Sequence, residues 1–288
     1  MKTSLVVLIG GATASGKTAF AIKYAEKLKE LYGVDSEIIN ADSVQLYDEL
    51  KIITAFPSAE DMAQIPHRLF GILKPNEKPS VAFWLEQAKK EITRLQAEGK
   101  IAIVCGGTGF YLNAIKNGIA DIPDIPSDFR QSVFEKFQRI GRDKFFEELS
   151  RLDSEIVKTL HKNNTQRILR AYEVAAYTGK PLTEWWQNAS SEGYEVKQMI
   201  LMPPKEELHR RCYARIKKMM DEGAVEEVRD FISRYPNYSG GLRKAIGYYE
   251  ISDLLNGKIS KDECIEQMYI HTKQYAKRQV TWFKYQMG

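Results

Sequence analysis

The chain has 288 residues, 43% of them hydrophobic, with 42 basic against 38 acidic side chains, which is enough for one large domain or for a core carrying an insert. No apolar run approaches the roughly 20 residues that span a bilayer, and a single Lys before a short apolar stretch is no export signal, so no membrane association is expected. Cys105, Cys212 and Cys264 lie far apart and the four His never cluster, which argues against a disulfide framework or a zinc centre and for a reducing, cytoplasmic setting.

In chain order, the apolar run Leu5–Ile9 leads into Gly11-Ala12-Thr13-Ala14-Ser15-Gly16-Lys17-Thr18 and then into a helix-prone stretch ending at Leu28. A strand, a glycine-rich turn and a helix start in that order make a phosphate cradle. The glycines allow a tight turn, backbone N–H groups and the helix N-terminus converge on an anion, Lys17 adds a mobile cation and Thr18 a hydroxyl for Mg²⁺. Glu37–Ala41 reads as a second strand, with Asp42-Ser43-Val44-Gln45 at the edge where ligands of open α/β sheets bind. Asp42 there either caps the next turn or orients and deprotonates an acceptor.

A surface excursion around Leu50–Glu60 returns as a short strand near His67. The spacing of Val81, Trp84, Leu85, Ala88, Ile92 and Leu95 predicts a helix closed by Gly99. Ile101–Cys105 is then a buried strand, and the β-α-β-α-β order requires a parallel sheet. That strand runs into Gly106-Gly107-Thr108-Gly109, where many P-loop enzymes carry a Mg²⁺-directing Asp, which weakens an ATP-hydrolysing reading.

From Ile119 to Pro126 the composition turns to Asp and Pro, and helical patterns follow to about Asn188. The expected organisation is therefore a core over 1–119, an all-helical insert over 120–190, and a return to the core over 191–288. Within the insert, Arg167 and Arg170 fall three apart on one helix face, a pair suited to a pyrophosphate or a nucleic-acid backbone, or simply to solvent. Val196–Met202 reads as a further strand. Pro203 and Pro204 open a helix that carries Arg211 and Arg215 and stops at Gly223. Arg243–Glu250 is read as opening another helix, and Lys261–Tyr285 as the last. The final stretch, Met268–Gly288, holds Lys273, Lys277, Arg278 and Lys284 with no acid, so it carries the whole net charge of +4 and suits a polyanion or a solvated face.

In this order, the glycine loop, Asp42–Gln45, Gly106–Thr108, Gln166–Val174, Ala245–Tyr248 and Tyr275–Phe283 together resemble the tRNA dimethylallyltransferases nearly end to end. The resemblance implies a P-loop NTPase-like parallel sheet flanked by helices, with an all-helical insert. It also implies transfer of a dimethylallyl group from dimethylallyl diphosphate to N6 of the adenosine beside the anticodon. On that reading Gly11 to Thr18 hold the diphosphate with Mg²⁺ at Thr18, Arg215 neutralises the leaving group with Lys17, and Asp42 takes the amine proton. Asp42, Ser43, Val44, Gln45, Thr108, Arg130, Gln166, Arg167, Arg170, Arg243, Lys244, Gly247, Tyr248 and Arg278 match the positions that touch the tRNA anticodon stem-loop. A monomer is expected. Two departures stand out: Ala12 replaces the family's usual Pro, and Phe56 replaces a Lys. The competing readings are an ATP-binding P-loop kinase of small molecules or nucleosides, and an adenylate isopentenyltransferase acting on free AMP or ADP.

Overall fold

Leu5–Gly11 forms β1, and from Val6 onward its side chains are buried on both faces, as in a strand covered by helices on either side. The computed structural model describes residues 4–188 and 190–287. After β1 come α1 (Lys17–Tyr32), β2 (Ser36–Asn40), α2 (Ala59–Gln64), β3 (His67–Arg68), α3 (Val81–Ala97), β4 (Ile101–Gly106) and α4 (Gly109–Asn117). The chain continues through α5 (Ser127–Ile140), α6 (Arg142–Leu152), α7 (Ile156–Thr159), α8 (Thr165–Thr178) and α9 (Leu182–Gln187), and returns as β5 (Glu195–Leu201). It ends in α10 (Lys205–Asp221), α11 (Ala224–Arg234), a 3-10 turn (Gly241–Lys244), α12 (Tyr248–Leu255) and α13 (Lys261–Gln286).

All pairings in the five-stranded sheet are parallel, in the order β3-β2-β4-β1-β5. Parallel strands end on a common edge, and β4 lies between β1 and β2, with Gly106 beside Gly10 and Cys105 beside Asn40. The ends of these three strands therefore meet. On one face α1 buries Ala21, Ile22, Ala25 and Leu28 against Val7, Ile9, Ile38 and Ile103. The stripe on α3 is buried at Trp84, Leu85, Ala88, Ile92 and Leu95, with Val81 only half covered. Beneath the sheet edge, the Trp84 indole stacks on Tyr111 at 4.2 Å and donates to the Asn40 carbonyl at 2.7 Å.

On β2, Glu37 is 2% exposed and meets Arg68 (2.7 Å), Arg94 (2.7 Å) and Lys100 (3.0 Å). Burial pushes its carboxyl up, but the three cations outweigh that and hold it at about 2.

The chain forms two compact units, Met1–Lys116 with Gly193–Gly288, and Asn117–Glu192. The second has its own core, with Phe145, Leu149, Ile168, Ala171 and Val174 nearly inaccessible. Its buried Asp153 (2% exposed) accepts from the amides of Ile156 and Thr183 and from the Thr183 hydroxyl, which ties α7 to α9.

One expected boundary is corrected and another is extended. No helix runs from Arg243 to Glu250: the 3-10 turn ends at Lys244, Ala245 is extended, and Gly247 takes a left-handed φ of 108°, so α12 starts only at Tyr248. Gly223 does stop α10, but its left-handed φ of 97° also makes it the N-cap of α11, a helix the breaker had concealed.

Candidate functional site

The turn between β1 and α1 is built to receive an anion. Gly16 adopts a left-handed φ of 89° as the α1 N-cap, with no side-chain cap and no acid in the first turn, so the first-turn amides and the helix dipole are left for a ligand. Ala14 takes a left-handed φ of 59° without being glycine, a backbone strain of the kind kept at binding loops. Lys17 Nζ donates to the Ala12 carbonyl at 2.7 Å. Although Lys17 is only partly covered as a residue, its ammonium is enclosed, and burial pulls it down to about 8 against the pull of Cys105 and Asp42. From α10, Arg215 Nη1 donates to the Thr13 hydroxyl at 3.0 Å and Arg211 Nη1 to the Ser15 carbonyl at 3.2 Å. Three cations thus surround one turn. The Ser15 hydroxyl is buried there without a hydrogen-bond partner.

Asp42 follows β2 and is fixed from behind. The buried Asn40 accepts from the Asp42 amide at 2.8 Å and donates to the Asp42 carbonyl at 3.0 Å. Asp42 Oδ1 accepts from the Val44 amide at 3.2 Å, so the cap and the acceptor-facing carboxylate are not alternatives. Burial raises its pKa, opposed by Lys17, the Val44 amide and Arg215, which makes it a stronger base than an ordinary carboxylate.

The glycine turn after β4 is what lets cradle and carboxylate approach. A Cβ on Gly106 would lie 2.1 Å from the Ala41 carbonyl. The turn is then pinned by the Thr108 amide donating to Ala41 O at 3.0 Å and by the Ser43 amide donating to the Thr108 hydroxyl at 3.1 Å.

A cavity of about 1100 Å³ within the first unit opens from this centre. Thr13, Asp42 and Arg215 stand in its wall with Ser43 and Val44. Arg243, Lys244 and Arg278 add cations, and Ile53, Met219 and Met268 add apolar surface. The Arg243 guanidinium lies 5.0 Å over the half-exposed Tyr249 ring.

Not every expected contact residue reaches this cavity. Gln45 gives its amide protons to the Thr54 and Ala55 carbonyls (3.0 and 2.7 Å) and so holds the Leu50–Pro57 excursion in place. Gly247 and Tyr248 are also absent from the cavity lining: the left-handed Gly247 precedes a Tyr248 that is 8% exposed beside Phe231, and Tyr249 takes the cavity wall. Arg130, Gln166, Arg167 and Arg170 belong to the second unit. There Arg130 pairs with Asp124 and Arg170 approaches Glu173 at 3.7 Å, while Gln166 and Arg167 are exposed.

Sequence reasoning missed two groups. Arg211 sits one turn before Arg215, and its i, i+4 spacing was the available signal. Gln279 on α13, 6% exposed, bonds both the cradle and the second glycine turn; it lies in the Tyr275–Phe283 stretch of the resemblance, but no spacing there points to these partners. No group of three His, Cys, Asp or Glu among the described residues could hold a metal, and no described helix is long and apolar enough to cross a membrane.

An all-parallel sheet whose edge carries an uncapped anion cradle, with a half-buried carboxylate two strands away, defines a P-loop protein of the group-transfer type. The sequence model of the family described as IPP transferase matches residues 45–286. Over 99% of its length the chain is 38% identical to a Pelagibacter ubique protein named tRNA dimethylallyltransferase, of which it covers 90%. It is similar in structure to the full-length tRNA isopentenylpyrophosphate transferase of Bacillus halodurans, at 31% identity and a TM-score of 0.68 over 99% of this chain and 88% of that one. It is also similar to a eukaryotic dimethylallyltransferase acting on tRNA, at 27% identity and a TM-score of 0.83 over 98% of this chain and 70% of that one. The chain belongs to the IPP transferase family.

Proposed function

We propose that this protein transfers a dimethylallyl group from dimethylallyl diphosphate to N6 of adenosine 37, beside the anticodon of tRNA, and releases diphosphate. The observation that carries the reading is one cavity wall holding both the half-buried Asp42 and, from the cradle side, Thr13 and Arg215. Diphosphate lies on the amides of the uncapped α1 turn, with Lys17, Arg215 and Arg211 around it. As the N6 lone pair attacks the prenyl C1, the C1–O bond breaks, its electron pair leaves with the diphosphate, and Asp42 takes the amine proton. Donors aimed at the leaving group act most strongly once charge has gathered there. The prenyl tail faces Ile53, Met219 and Met268. The adenosine must leave its stack to reach this wall, at a cost of a few kcal/mol.

Mg²⁺ fits the cradle in one way. The Thr18 hydroxyl would hold an ion whose remaining ligands are diphosphate and water, as suits a cation bound mainly through substrate phosphate, and the buried Ser15 hydroxyl of the same turn is left without a protein partner. When bound, the ion would neutralise the leaving diphosphate. Arg243, Lys244 and Arg278 line the route for the anticodon loop, and the helical insert, through Arg130, Gln166, Arg167 and Arg170, holds the stem. All groups named in the reaction come from one chain, so a monomer suffices; a cytoplasmic setting is part of the same reading and rests on the three unpaired cysteines.

The test is to incubate unmodified tRNA with the protein and dimethylallyl diphosphate and to weigh its adenosines. One adenosine should gain a prenyl group. Unchanged adenosine masses, with ATP hydrolysed on tRNA addition, would refute the assignment.

A further inference from the structure

Gln279 reaches from α13 to two loops that the sequence places far away. Its Oε1 accepts from the Thr13 amide at 2.8 Å and its Nε2 donates to the Gly107 carbonyl at 2.8 Å, in a site with 6% exposure. Thr13 belongs to the cradle and also accepts from Arg215. Gly107 belongs to the turn beside Asp42: a Cβ built on it would lie 2.5 Å from Gln279 Nε2 and 3.2 Å from Asp42 Oδ2. The amide of Gln279 therefore stands between the diphosphate cradle and the base, touching the backbone of both sides.

We propose that Gln279 is a positioning residue for the transfer, setting the separation between the cradle and Asp42. A carboxamide is the side chain that offers an acceptor and a donor at fixed spacing in a neutral, buried place. The bonds cross 266 and 172 residues of sequence, so no turn or helix cap restores them once the side chain is replaced. Gln279 lies behind the loops, and its replacement leaves the cavity wall that meets both substrates in place. The effect falls on the alignment of amine, C1 and leaving group, where a displacement of about 1 Å costs on the order of 10²-fold in rate. The rate arm of this inference rests on the transferase reading; the hydrogen-bond arm does not.

The test is Gln279→Met, which keeps the length and removes both bonds, assayed after far-UV dichroism and a cooperative melt show it folded. The expected result is kcat at least tenfold lower, with KM for dimethylallyl diphosphate and for an anticodon stem-loop RNA within about threefold of wild type. The Thr13 amide should exchange with solvent at least a hundredfold faster. Wild-type kcat, a loss confined to KM, or an unchanged Thr13 exchange rate overturns the proposal. If that variant does not fold, Gln279→Asn serves, because its shorter side chain cannot span both bonds; the same loss of kcat is expected, and a folded, fully active Gln279→Asn protein overturns the proposal. A wild-type protein that transfers no prenyl group would refute the transferase reading, while the Thr13 exchange rate still decides the Gln279 bond.

Discussion

Asp42 is held by the Asn40 side chain and the Val44 amide before any substrate arrives. Asn40 fixes its amide and carbonyl, and Val44 occupies one carboxylate oxygen. Burial then raises its pKa, which has consequences for rate and for stability. The working form is the carboxylate, so kcat/KM should fall as the pH drops through that raised value, above the range of an ordinary Asp. Asp42→Asn should lower kcat by roughly 10² or more and remove this acid limb. Because a raised folded pKa means that ionisation at neutral pH works against the fold, the same variant should melt no lower than wild type. Rate profiles and thermal melts check both halves, and near wild-type turnover would remove Asp42 from the reaction. The cradle was legible as a local pattern at a strand end, whereas the local pattern left Asp42 open between a cap and a base and only the resemblance gave it a role. Gln279 was not legible, since its partners are brought to it only by the sheet order and the packing of α13.

At the scale of elements, the cations around Glu37 join β2 to β3, α3 and the start of β4. Its pKa is lowered to about 2 from 4.5, so its contribution is complete above the ordinary carboxylate range and disappears as the pH falls from there towards 2. Glu37→Gln leaves three cations facing a neutral group and should cost about 3 kcal/mol. Urea titrations at pH 7 and pH 3 should show the difference between variant and wild type shrinking at the lower pH; a constant difference would mean the network does not act through charge. The α3 stripe was readable because five buried residues repeat at helical spacing. The start of α12 and the existence of α11 were not, because a left-handed glycine looks the same in sequence whether it ends one helix, begins the next or does both.

For the whole molecule, the cations proposed to meet RNA are divided between two compact units, Arg167 and Arg170 in one and Arg278 in the other. Changing all three to Gln should weaken tRNA binding and lower the slope of log affinity against log salt by roughly one for each phosphate left without its cation. An unchanged slope would leave these side chains no part in holding the nucleic acid. The division itself was suggested by the Asp- and Pro-rich stretch after Ile119; which side chains share the cavity was not, because the sheet order decides that. The same order bears on what this protein can become. A chain that drifts toward nucleotide hydrolysis would gain an acidic group after β4, yet at Gly106 the first atom of any side chain falls 2.1 Å from the Ala41 carbonyl. Point mutation at that position therefore damages the contact between β4 and the end of β2 before it supplies an acid there.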